Sequence, residues 1–143
     1  MSDEPRPEDT LHPAYFETCF RLPAAATEIA WPDSFGIISA YSTTDRQWPI
    51  ERSLAADREL EAVLRTCSTW LQRVVGFSPT SGHAEPSWAA DVSFEAACDL
   101  GLRFHQDAIY FVDGDDLYVS FCDARRKQVP VGSFLERLRA HDD

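Results

Sequence analysis

A chain of 143 residues, 44% of them apolar and 12% aromatic, has the size of one globular domain and too many large side chains to remain disordered. Its 13 basic and 24 acidic residues leave a net charge of −11, which repels phosphate backbones and argues against sequence-independent nucleic-acid binding. No stretch approaches the ~20 apolar residues of a membrane span, and the acidic opening MSDEPRPEDT has no apolar segment behind a basic start, so a cytoplasmic protein is expected.

Residues 1–12 combine Asp3, Glu4, Glu8 and Asp9 with Pro5 and Pro7, the composition of a disordered acidic tail, which leaves 13–143 as a single α+β domain. Residues 15–22, aromatic and ended by Pro23, read as a strand, and a second strand around 27–31 would complete a hairpin. The nearly continuous apolar run 35–41 has the pattern of a strand covered on both faces at the centre of a sheet. A polar loop, 42–47, follows.

Leu60, Val63, Leu64, Cys67, Trp70, Leu71 and Val74 then recur at three- and four-residue spacing, which predicts one long helix from between Pro49 and Leu54 to about Val75, stopped by Gly76. Residues 77–91, with Pro79, Gly82 and Pro86, read as a long connection. Ser93 is placed to cap a second helix reaching about His105, with Gly101 permitting close approach to the sheet. Segments 108–112 and 117–121 flank Asp113-Gly114-Asp115-Asp116, a hairpin signal, and 133–138 should form a short closing helix. The expected fold is α+β: a mostly antiparallel or mixed sheet of about five to six strands, two main helices and a short C-terminal helix.

Two polar clusters stand out. Ser42 to Gln47, with Thr43 and Arg46, lies between a buried strand and a helix N-terminus, where backbone amides and the helix dipole favour an anion. Arg103, His105 and Gln106 sit together at the next helix-to-strand junction, offering a cation, an imidazole and an amide, though cations there also cap helix carbonyls. No metal or cofactor is expected, because His83, Asp91 and His105 lack metal-ligand spacing and no glycine-rich phosphate loop occurs. Cys19, Cys67, Cys98 and Cys122 form no Cys-x-x-Cys pair and read as free, mostly buried thiols.

Ile38-Ser39-Ala40-Tyr41-Ser42-Thr43 and the segment from Ala97 through Gly101 and Phe104-His105-Gln106 to Ala108-Ile109 resemble a bacterial family, domain of unknown function 3293 (DUF3293). In that family the first run ends Ile-Thr-Ala-Tyr-Asn-Pro, and the second reads Ala-x-x-x-Gly-x-x-Phe-Gly-Gln-x-Ala-Ile before a hairpin. The similarity covers roughly residues 15–121. Ser42 and Thr43 replace the Asn-Pro, and His105 stands where the pattern has glycine.

The resemblance implies a fold and a pair of candidate positions, and no reaction. If the two junctions meet at one sheet edge, Tyr41, Thr43, Arg46, Arg103, His105 and Gln106 would line one pocket. The leading expectation is a non-catalytic binding or protein-interaction module, its acidic surface suited to a basic protein partner. The alternative is a small enzyme or small-molecule binder at that pocket, with Tyr41 or His105 as acid/base and Arg46 or Arg103 holding an anion.

Overall fold

The computed structural model describes residues 11–23, 29–42 and 48–139. Among the described residues, eight strands, β1 (Cys19–Arg21), β2 (Ser34–Ile38), β3 (Leu71–Phe77), β4 (Ala84–Ala90), β5 (Ala108–Asp113), β6 (Asp116–Phe121), β7 (Val129–Ser133) and β8 (Leu138–Arg139), form one sheet in the order β7-β6-β5-β2-β4-β3-β1-β8. It is mixed, because β1 and β8 pair in parallel while the other pairs are antiparallel. Among the described residues, three α-helices accompany it: α1 (Ile50–Cys67), α2 (Phe94–Arg103) and α3 (Phe134–Arg137).

The α+β class, the interior β2, the β5–β6 hairpin and the helix capped by the Ser93 hydroxyl agree with the sequence reading. The sheet, however, has eight strands and not five to six. The expected long helix ends at Cys67, where the Ser68 N–H and hydroxyl both donate to the Leu64 carbonyl, and Ser68 turns to extended backbone. Trp70 to Phe77 share helical spacing by coincidence; a seven-residue ladder between β3 and β4 captures Val74 and Val75, which favour the pleated state. Asp91 fixes this exit by accepting from the Thr69 and Trp70 backbone N–H groups and the Thr69 hydroxyl.

The expected long connection 77–91 is for the same reason mostly β4. Pro86 is tolerated inside a strand because its carbonyl accepts from Ser39 Oγ, on the β2 side. N–H and C=O of one residue point the same way in an antiparallel strand, so its missing donor removes no bond to β3. At the start of the chain, residues 13–16 form a 3₁₀ turn before the short β1, and β1 pairs with β3 and β8, so of the expected 15–22 strand only Cys19–Arg21 is strand. The proposed strand at 27–31 falls partly outside the described residues, and 29–31 are not strand.

Alternation along β2 and β5 divides the core in two. Ile38, Ile109 and Phe111 face α1 and α2, meeting Leu60, Leu64, Ala97 and Cys98. Phe35, Ile37, Tyr110 and Val112 face the other way, toward Phe20, Phe134 and a ring cluster in which Trp31 lies 5.0 Å from Phe134 and 5.4 Å from Trp70. Each such buried side chain contributes about 1.5–3 kcal/mol. Arg73 on β3 clamps α1 to the sheet, its guanidinium bidentate on buried Asp57 at 3.0 and 2.5 Å and stacked 3.9 Å from the Trp88 ring.

Candidate functional site

The end of the sheet where β2 finishes gathers the two junctions singled out in the sequence. α2 stops in a paired-bond C-terminal motif: the His105 N–H reaches the Leu102 carbonyl (3.1 Å), and the Gln106 N–H reaches the Gly101 carbonyl (2.8 Å). Such a stop requires a left-handed residue between helix and strand, and His105 has φ +62°. Glycine takes that conformation freely, whereas a side chain there costs about 1 kcal/mol, less for His than for branched residues. Gly101, one turn back, is kept for space: a Cβ there would fall on Cys122 Sγ and lie 2.8 Å from Ile109 Cγ2.

Gln106 is buried, and its side-chain amide donates to the Tyr41 carbonyl at 2.8 Å and the Phe104 carbonyl at 3.2 Å. The two junctions therefore meet. The contacts of residue 41 here are made by its backbone, its N–H donating to Ser39 Oγ at 3.1 Å. Thr43 and Arg46 lie outside the described residues. Ser42 is held by α1, its N–H donating to the buried Ser53 hydroxyl at 3.3 Å.

Arg103 and His105 line an open cleft of about 320 Å³ with Trp48, Arg52, Ala56 and Glu59. The Arg52 guanidinium stacks 3.9 Å over the Trp48 ring, and the Trp48 and His105 rings meet edge to face at 5.8 Å and 84°. Arg103 lies 3.5 Å from Glu59, with both side chains more than half exposed. Tyr41 and Gln106 do not line this cleft. Gln106 instead joins His105 in a smaller hollow of about 180 Å³ with Asp107, Asp123 and Arg125, where the Arg125 side chain and backbone N–H hold Asp123 at about 2.

Trp48, Arg52 and Glu59 were not singled out in the sequence, although Arg52, Ala56 and Glu59 follow an i, i+4, i+7 stripe with a small residue between two charges. Glu85 was also missed. It follows the β3–β4 turn, near this same end of the sheet, and burial pushes its carboxyl up to about 7 against an opposing hydrogen bond from Ser39. His83 and Asp91 stand at opposite ends of β4 and do not join His105, and among the described residues no group of three His, Cys, Asp or Glu side chains converges.

The fold and site thus define an α+β protein with a cationic, aromatic cleft between α1 and the C-terminal end of α2. The family model described as a protein of unknown function (DUF3293) matches residues 38–109, half of the chain, and the chain belongs to that family. The matched segment includes every residue lining the larger cleft. No curated protein and no solved structure matches the chain. Among the described residues, no helix is long and apolar enough to cross a membrane.

Proposed function

We propose that the chain is a non-catalytic binding module that takes a small ligand, an anionic group joined to a planar ring, in the cleft between α1 and the α2–β5 turn. The observation carrying this reading is His105. The chain accepts a left-handed side chain where glycine would relieve about 1 kcal/mol, and the imidazole gained there stands on the cleft wall against Trp48.

Arg52 and Arg103 bring two guanidiniums to one hollow of a chain whose net charge is −11, so an anion is drawn to this place. The exposed Arg103–Glu59 pair is weak, and an incoming phosphate or carboxylate displaces it. Trp48 offers a ring edge and face to a planar group. Burial raises the Cys98 thiol and pushes Cys122 up to about 12, so neither supplies a thiolate at neutral pH. With Cys19 they are buried and unpaired, which supports the cytoplasm as working compartment.

Phenyl phosphate, benzoate and inorganic phosphate are the probes. Phenyl phosphate at millimolar concentration should raise the melting temperature, by the equivalent of about 2.7 kcal/mol at 100 times its Kd. Arg52→Ala and Arg103→Ala should each abolish the rise. An unchanged melting temperature with all three probes, or a rise that survives both substitutions, rejects the reading. A basic protein partner is a second reading, favoured by exposed Ile50 and Leu54, one turn apart on α1 beside Glu51; calorimetry of the Ile50→Ser, Leu54→Ser variant against a captured partner tests it.

A further inference from the structure

His105 borders both hollows. It stands on the wall of the larger cleft with Arg52 and Arg103, and on the wall of the smaller one with Gln106, Asp107 and Asp123. The chemistry on its two sides differs. The larger cleft offers guanidiniums, whereas the smaller is bordered by oxygens with capacity left to accept.

Gln106 is the buried part of that border, with 8% of its surface exposed. Both of its side-chain hydrogen bonds leave from the nitrogen, to the Tyr41 and Phe104 carbonyls, and an NH₂ has two hydrogens to give. The two bonds fix the orientation of the amide and leave its oxygen, Oε1, unmatched. Oε1 takes no hydrogen bond among the described residues. Among those residues, the side-chain nitrogens and oxygens sealed from solvent without a partner are Arg21 Nε and Trp88 Nε1. Gln106 Oε1 is therefore open to the surface, and the hollow that Gln106 borders is the smaller one. An acceptor already fixed by a buried amide costs a ligand little ordering.

Asp107 adds charge. Its side chain makes no hydrogen bond or ion pair among the described residues, and its backbone carbonyl, taking the Cys122 N–H at 3.0 Å, holds it at the rim. Asp123 and Arg125 offset each other: the guanidinium donates to both Asp123 oxygens at 2.6 to 3.1 Å and lies 3.8 Å over the Phe121 ring. The charge left over is that of Asp107. An amide oxygen beside an uncompensated carboxylate matches a cation with several N–H donors, a primary ammonium. Leu102, half exposed on the same border, suits the carbon arm that carries it.

We propose that the smaller hollow is a subsite for a primary ammonium, and that one ligand straddles His105, its anionic ring in the larger cleft and its ammonium between Gln106 Oε1 and Asp107. The ligand class is an aromatic phosphate or carboxylate bearing an amino group. A chain of net charge −11 attracts an amine to many carboxylates, so the subsite shows itself through a ligand anchored next door and not through an amine alone.

The subsite rests on the larger cleft binding an aromatic anion, and calorimetry on the full chain separates the two. The probes are phenyl phosphates bearing an aminoethyl or an aminobutyl arm opposite the phosphate, each paired with the counterpart in which a methyl group replaces the ammonium. At least one amine should bind about tenfold tighter than its methyl counterpart, the scale of a charge-assisted hydrogen bond. Asp107→Asn, a change to an exposed side chain, should bring that pair to equal affinity. Glu59→Gln should keep the preference, because Glu59 belongs to the larger cleft. Equal affinities within both pairs overturn the subsite, as does a preference that survives Asp107→Asn or vanishes in Glu59→Gln. If phenyl phosphate binds and the amine adds nothing, the cleft reading stands and the subsite falls; if no probe binds, both fall.

Discussion

The chain makes two left-handed turns into its central hairpin and fills them differently. At the far end of the sheet, Gly114 (φ +66°) opens the β5–β6 loop as the first of two central residues, and a Cβ placed there would meet nothing within 4 Å. At the near end, where β5 begins, the left-handed residue is His105. One turn uses glycine for its dihedral freedom alone. The other gives up that freedom and gains an imidazole on a cleft wall, and this separates a turn that only reverses the chain from one that also presents a side chain.

Gly101 is a third case, kept for space and not for its dihedral. Gly101→Ala should bring the largest loss, about 3 kcal/mol, because the new methyl meets Cys122 Sγ and Ile109 and α2 must back away from the sheet. Urea denaturation would show it as a lower midpoint with little change in slope. Gln106→Leu comes next at about 2 kcal/mol: it keeps the apolar bulk but strips the Tyr41 and Phe104 carbonyls of their shared donor inside the fold. A loss below about 0.5 kcal/mol would mean that water replaces the amide and that the near turn is not held through residue 41.

The sharpest test of the two turns is a pair of substitutions with opposite signs. Gly114→Ala should cost about 1 kcal/mol despite its open surroundings, since only the dihedral is at stake. His105→Gly should gain up to about 1 kcal/mol, less the extra chain entropy of glycine, while phenyl phosphate binding weakens. If His105→Gly destabilises the protein, the Trp48 contact is structural, and the reading that sets this turn apart fails.

Much of this arrangement was legible in the sequence, because β2, α2 and the β5–β6 hairpin carry local signals of period or turn chemistry that tertiary contacts reinforce. The contact of Tyr41 with Gln106 follows from their positions, since both lie next to strands that are neighbours in the sheet. Residues 70–77 misled because Trp70, Leu71 and Val74 fit a helical stripe as well as a strand, and only the β4 partner decides between them. The partner was itself hidden by Pro86, whose placement depends on Ser39, 47 residues away. Trp48 and Arg52 were illegible as candidate site residues for a related reason: what marks them is a fold-level neighbour, not a spacing.

The smallest expected effect sets the two turns apart by pH. Beside the far turn, Asp115 accepts from the Ser133 hydroxyl and the Leu135 N–H, which hold its carboxyl below the ordinary range. Its stabilisation is present above the unfolded value and is lost as pH falls through the lower folded one. Near the other turn, burial raises Glu85 from 4.5 to about 7, so the unfolded chain ionises first. Below 4.5 both states are protonated and Glu85 behaves like glutamine; as pH rises to about 7 a penalty accumulates, and above that it is constant. With 27% of the side chain exposed, water screens part of this cost, leaving it at or below about 1 kcal/mol. Glu85→Gln should therefore leave stability unchanged in acid and raise it at pH 8, whereas Asp115→Asn should lower it at neutral pH and converge on the parent in acid. Parallel curves for the two variants across the whole range would remove the electrostatic difference between the turns, leaving the dihedral one alone.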